Sequence, residues 1–168
     1  MSIARQETEI AVLVGHEPNG VSAMAVIARH SDIEVFTMRS YCNHDGIVLL
    51  LVTTNTDKTS RVLKVAGFHC QVDQVVLIGP LNRSGWTVPL GIELAEVGIE
   101  VLHSYTSHRE RHRHYLVFKT SDNDRAIQIL TTGPAFQLLA SNDTQMDQVL
   151  AIAGESSPFQ QARSLFSY

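Results

Sequence analysis

A chain of 168 residues with 44% apolar and 18% charged content can bury a core as one domain or two small ones, which excludes a disordered or low-complexity protein. The formal net charge of −4 argues against a general binder of nucleic acid or of an anionic membrane surface, and no apolar run reaches the length of a membrane span. Cys42 and Cys70 show no metal or redox spacing, and Met1 to Thr8 has no apolar signal core. The expectation is a cytoplasmic protein without a cofactor or metal, its two thiols serving as small core residues.

Met1 to Glu9 is polar and reads as a loose lead-in. Ile10 to Val14 predicts a strand, Gly15 to Gly20 a loop, and Val21 to His30 an amphipathic helix. Ile33 to Cys42 returns as a strand. Asn43-His44-Asp45-Gly46 is a hairpin turn, because Asp-Gly supplies the positive φ angles that a tight hairpin needs. Ile47 to Thr53 is apolar at nearly every position and predicts a central strand. Thr56 or Asp57 is placed to cap a helix through Ala66, with Val62 and Val65 inward and Gly67 as the stop. Phe68 to Val72 predicts a further strand.

The order then repeats. Val75 to Ile78 predicts a strand and Gly79 to Gly85 a loop. Pro89 has no N–H and must lie in a first helical turn, so the next helix starts near Thr87, with Val88, Gly91/Ile92 and Ala95 at helical spacing. Strands Ile99–Thr106 and His114–Thr120, helix Asp122–Leu130 and strand Phe136–Ala140 follow. Gly20 and Gly85 stand 65 positions apart, the two Ile-Glu-Val triplets at Ile33 and Ile99 stand 66 apart, and Asp57 and Asp124 in similar polar runs stand 67 apart. Three matches at nearly one offset indicate an internal duplication. Each copy reads β-α-β-β-α-β, so the fold class is α+β: two ferredoxin-like units, antiparallel sheets with helices on one face. The bare face of each sheet needs a cover, either the other unit or another chain. The units span 9–73 and 74–141. Residues 142–168 form a C-terminal extension read as helical, with a strand around Asp147–Leu150 as the competing reading.

A duplicated β-α-β-β-α-β unit with a glycine loop between its first strand and first helix resembles the ACT domain. The direct run from Cys70-Gln71-Val72-Asp73 into Val75-Val76-Leu77-Ile78-Gly79 is similar to the small stand-alone proteins made of two such domains. That resemblance implies a non-enzymatic, amino-acid-binding regulatory protein, a homodimer, and a regulated protein partner. It places ligands against the glycine loop, where Gly lets the backbone approach a ligand and the following helix start offers unpaired N–H groups to a carboxylate. Carried over by position, the candidates are His16, Glu17, Asn19, Gly20 and Val21 in the first loop. In the second they are Leu81, Asn82, Ser84, Gly85 and Trp86. Neither loop has Pro immediately before its glycine, as the family pattern does.

The alternative reading is a protein-interaction subunit of the same fold with no retained ligand site. The run Thr106–His114 reads as a solvated hairpin tip, although His112 and His114 share a face in a strand and are of metal-binding type. An RNA-binding module shares the element order but stacks bases on aromatic residues of central strands, and Ile47 to Thr53 has none. No G-x-S-x-G elbow, phosphate loop or H-E-x-x-H motif is present, so hydrolytic chemistry has no local signature.

Overall fold

The computed structural model describes residues 4–15, 19–81, 85–109 and 113–140. Strand β1 is Ala4–Gly15, followed by α1 (Asn19–Ala28), β2 (Val35–Asn43), β3 (Gly46–Thr53), α2 (Thr56–Val65) and β4 (His69–Leu81). Helix α3 (Thr87–Glu96), β5 (Val101–Arg109), β6 (Arg113–Thr120), α4 (Asn123–Thr132) and α5 (Pro134–Ala140) complete the described chain. The six strands form one sheet in the order β2-β3-β1-β4-β6-β5, antiparallel at every pairing.

Two long strands join what the sequence separates. The predicted strands Phe68–Val72 and Val75–Ile78 are one continuous strand, β4, so residues 73 and 74 lie in mid-strand. The polar lead-in is also a strand: Ala4 to Thr8 pair with Ile78 to Gln74 along the second half of β4. This pairing explains a further correction. Phe136–Ala140 is helical, not a strand. In a β-α-β-β-α-β unit the last strand lies beside the first, and Ala4–Thr8 fills that place beside β4, while Pro134 presets the φ of a first helical turn. Residues 142–168 lie outside the described residues, as do both readings of their structure.

Alternation within the strands builds three cores. Ile10, Val12, Val14, Leu49 and Leu51 pack with Ala23 and Ile27 of α1 and Leu63 of α2. Val76, Ile78, Leu116 and Phe118 pack with Leu90 and Leu94 of α3 and Ala126 and Leu130 of α4. The opposite face carries Val48, Leu50, Val52, Val75, Leu77, Tyr105, Tyr115 and Val117, and none of the described helices covers it. It is covered instead by the sheet's own curl. The outer strands β2 and β5 meet: Thr37 Oγ1 lies 3.3 Å from the Tyr105 hydroxyl, and Arg39 Nη1 donates to the Ser104 carbonyl at 3.2 Å. The apolar faces of β1–β3 and of β4–β6 therefore cover each other.

The helices match their expected places, with shifted faces. Asn55, not Thr56 or Asp57, caps α2 by accepting from the Lys58 N–H at 3.0 Å. Val65 is 85% exposed, and Thr59 and Leu63 point inward in its place. In α3 the buried set is Pro89, Leu90, Glu93 and Leu94, while Val88 is exposed. Two leucines bury more apolar area than the Val88/Ala95 stripe would, and the helix turns accordingly. Cys42 is exposed on the outer strand β2, not in a core, whereas Cys70 is half-buried, and burial pushes its thiol pKa up.

Candidate ligand sites

The two predicted loops follow the ends of β1 and β4. Because these strands are antiparallel, with Leu13 opposite His69 and Ala4 opposite Ile78, the loops leave the sheet at opposite ends. The nine residue steps from His69 to Ile78 alone span about 30 Å at about 3.4 Å per residue, and the loops leave beyond both ends of that stretch, so a single copy of the chain cannot close both loops on one small ligand. His16, Glu17, Asn82 and Ser84 lie outside the described residues. Asn19 and Gly20 open α1, and Val21 beside them is 76% exposed. Leu81 is buried at the end of β4. Gly85 holds φ at 98°, a conformation that L side chains rarely adopt. Trp86 stands at the N-cap of α3 without a side-chain cap bond. Its ring is buried in the core with Leu81, Leu90 and Leu130.

Each loop begins beside a hairpin of the sheet, the first beside β2–β3 and the second beside β5–β6. A Cβ on Gly46, in the β2–β3 turn, would sit 2.7 Å from the carbonyl carbon of Gly15. A Cβ on Gly79 would sit 2.8 Å from the Tyr115 ring and 2.9 Å from the His114 carbonyl. These close approaches fix where each loop leaves the sheet. At the tip of the second hairpin, His108 stands opposite His114 in register, and residues 110–112 lie outside the described residues. Among the described residues no group of three or more His, Cys, Asp or Glu side chains is placed to hold a metal.

A second region was not anticipated. The curl leaves a cavity of about 440 Å³ on the concave face, lined by residues from all six strands. Glu9 of β1 lies at its floor, 2% exposed, and its Oε2 accepts the Tyr105 hydroxyl at 2.7 Å. Since that proton is given to Glu9, the Thr37 hydroxyl donates to the Tyr105 oxygen. Burial first, then the Glu9 charge, raises the Tyr105 pKa far above its ordinary 10.0, so this phenol is a neutral donor at any physiological pH. His103 stacks on Tyr105 with ring centroids 6.2 Å apart, and its Nε2 stands 3.3 Å from Glu9 Oε1. That contact lacks hydrogen-bond alignment, and among the described residues the buried Nε2 has no bonded partner. The Arg39 guanidinium lies over the Tyr105 ring at 5.8 Å. Lys119 and Asp73 pair at 2.6 Å, and both line the cavity. The only local signal for this set is period-two alternation: Thr37, Arg39 and Tyr41 share one face of β2, and His103 and Tyr105 share one face of β5.

This architecture is an ACT-like one: ferredoxin-like units joined through one antiparallel sheet, with the helices on its outer face. The chain is similar in structure to protein BT0572 from Bacteroides thetaiotaomicron, with a TM-score of 0.62 and 23% identity over 77% of this chain and 90% of that one. It is also similar to the regulatory subunit of aspartate kinase from Thermus thermophilus in its ligand-free form, at a TM-score of 0.54 and 11% identity over 74% of this chain and 91% of that one. A third likeness is to the aspartokinase α and β subunits, with a TM-score of 0.52 and 20% identity over 80% of this chain and 97% of that one. At these identities the likeness establishes the fold. No protein-family model and no curated relative matches the chain. Among the described residues no helix is long and apolar enough to cross a membrane.

Proposed function

We propose that this chain is a non-enzymatic regulatory module that binds a small ligand, an amino acid, at its two glycine loops, Gly15–Val21 and Pro80–Thr87. The observation that carries this reading is the repeated junction of strand end, glycine loop and helix start on an ACT-like fold. Gly15 and Gly85 both hold positive φ angles, and α3 begins without a side-chain cap. Pro89 has no N–H, so the groups that α3 offers an anion approaching the loop are the Thr87 and Val88 N–H groups. The likeness to the Thermus regulatory subunit supports a regulatory role over a catalytic one. Since the two loops lie at opposite ends of the sheet, each site would be completed from elsewhere. A second copy of the chain meets that need, and the exposed Val21 and Val88 beside the loops supply apolar contact for it. Ligand binding would then shift an association or conformational equilibrium that a partner protein reads. The units at 9–73 and 74–141 are the two halves of that device, and a cytoplasmic setting suits it.

The test is thermal unfolding of the full chain with each common amino acid at millimolar concentration. A ligand at about 100 times its dissociation constant adds roughly 2.7 kcal/mol. The expected result is a saturable rise in the midpoint with one or a few amino acids. That rise should be lost in Gly85→Val, and lost equally in the double variant Asn82→Ala/Ser84→Ala, which leaves the glycine in place. A midpoint unmoved by the whole panel would refute ligand binding and favour the interaction-subunit reading.

A further inference from the structure

We infer that the concave face of the curled sheet is a second binding site, distinct from the glycine loops, for a small zwitterion that presents an ammonium group to Glu9 and a carboxylate to Arg39. The argument rests on charge matching inside one cavity. Four side chains of fixed charge line it: Glu9, Asp73, Arg39 and Lys119. Asp73 and Lys119 neutralise each other at 2.6 Å. Glu9 and Arg39 are left. Glu9 accepts from a neutral phenol through Oε2, and its Oε1 faces His103, which is charged only when protonated and makes no hydrogen bond there. Arg39 donates to a neutral carbonyl and lies over an aromatic ring. Among the described residues, neither meets an opposite charge that is permanent. A carboxylate this deeply buried without a permanent counter-ion is costly, and a ligand ammonium removes that cost.

The two charges are also held at a fixed separation. Both rest on Tyr105: Glu9 on its hydroxyl, Arg39 over its ring. Tyr105 is 4% exposed and tied to Thr37, so it is a rigid spacer. A lone anion would satisfy Arg39 and leave Glu9 uncompensated, and a lone cation would do the reverse. A molecule bearing both charges satisfies both. The free donor capacity of the guanidinium suits a planar carboxylate in a two-bond arrangement. The stacked His103 and Tyr105 rings offer a flat wall to the rest of the ligand.

The inference does not depend on the loop sites, and the experiment separates the two. The full chain is titrated with each common α-amino acid, and the amide signals of His103 and Tyr105 are followed by NMR together with those of Gly20 and Gly85. For each amino acid that moves the cavity signals, the N-acetyl derivative and the carboxamide are then titrated. The expected result is saturable movement at His103 and Tyr105, with affinity falling about tenfold or more for either derivative, for Glu9→Gln and for Arg39→Met. Glu9→Gln keeps an acceptor for Tyr105, and Arg39 is a surface residue, so both variants should fold. Asn82→Ala/Ser84→Ala should leave the cavity signals unchanged. No response at His103 and Tyr105 across the panel would overturn the inference. So would equal binding of either derivative, or binding that survives both cavity variants. Movement confined to Gly20 and Gly85 would uphold the loop sites and refute this one.

Discussion

Glu93 gives a quantitative test of how well the α3–α4–α5 packing is understood. Glu93 is 9% exposed within the α3 face that meets the core, and among the described residues neither carboxylate oxygen has a hydrogen-bond partner of good geometry. Burial is the largest influence on it and raises its pKa above the ordinary 4.5. The Ala135 N–H at the start of α5 opposes that rise, and Glu96 adds to it. A carboxyl with a raised folded-state pKa contributes stability that is fully present below 4.5 and is lost as pH climbs through the folded value. At neutral pH the charged form is thus a burden. Burying a polar group without good partners costs about 1–3 kcal/mol, so Glu93→Gln should gain up to that much at pH 7. For a chain of this size the unfolding midpoint should rise by about 2–10 °C. The gain should vanish near pH 4, where the wild-type carboxyl is protonated in both states. Chemical denaturation at several pH values, followed by circular dichroism, measures this directly. A variant that is less stable at pH 7 would show that the Ala135 N–H outweighs burial, and the reasoning would fail. The same packing explains Gly133: a Cβ there would collide with Glu93 Oε1 and stand 2.9 Å from the Ile129 carbonyl. Gly133→Ala should therefore destabilise by about 1–3 kcal/mol. In an Glu93→Ala background part of that cost should disappear, a coupling of about 0.5–3 kcal/mol in a double-mutant cycle.

Three further outcomes are expected. Tyr105→Phe removes the donor to buried Glu9 and the partner of Thr37. It should cost about 1–3 kcal/mol by denaturant unfolding, and a neutral result would mean that the outer strands are held together by apolar contact alone. Asn55→Ala and Asp122→Ala remove side-chain caps that accept from Lys58 N and Arg125 N, each at 3.0 Å, and should cost similar amounts of about 0.5–2 kcal/mol. Gly46→Ala puts a Cβ 2.7 Å from Gly15 at a φ of 127° and should lower the midpoint by several degrees, about 1–3 kcal/mol, in thermal unfolding.

The polar runs before α2 and α4 were legible as helix starts, although the residue that caps α2 is Asn55 and not Thr56 or Asp57. Asn55 and Asp122 stand 67 positions apart and do the same work at the starts of α2 and α4, so one local chemical need leaves the same polar mark twice. The apolar stretches Ile47–Thr53 of β3 and Val75–Ile78 of β4 were readable because a central strand is buried on both faces there. Ala4–Thr8 was hidden because it pairs only with β4 and can carry Arg5, Gln6, Glu7 and Thr8 on a half-exposed ribbon. That one omission also misassigned Phe136–Ala140, since a strand was needed where Ala4–Thr8 already sits. The concave cavity was out of reach for another reason. Glu9, Arg39, Asp73, His103 and Lys119 come from five different strands, and only the curl of the sheet brings them to one place. No spacing in the chain records that curl. Positive φ selects glycine at Gly15 and Gly85, whereas Gly20, which the sequence pairs with Gly85, lies in the first turn of α1.

The central claim is that the glycine loops hold a ligand. An isothermal titration of the full chain, wild type beside Asn82→Ala/Ser84→Ala, with the amino acid that most raises the unfolding midpoint, tests it most directly. The account predicts saturable heat for the wild type and at least a tenfold weaker constant for the variant. Equal affinity for both proteins, or no heat from folded wild type, would contradict it.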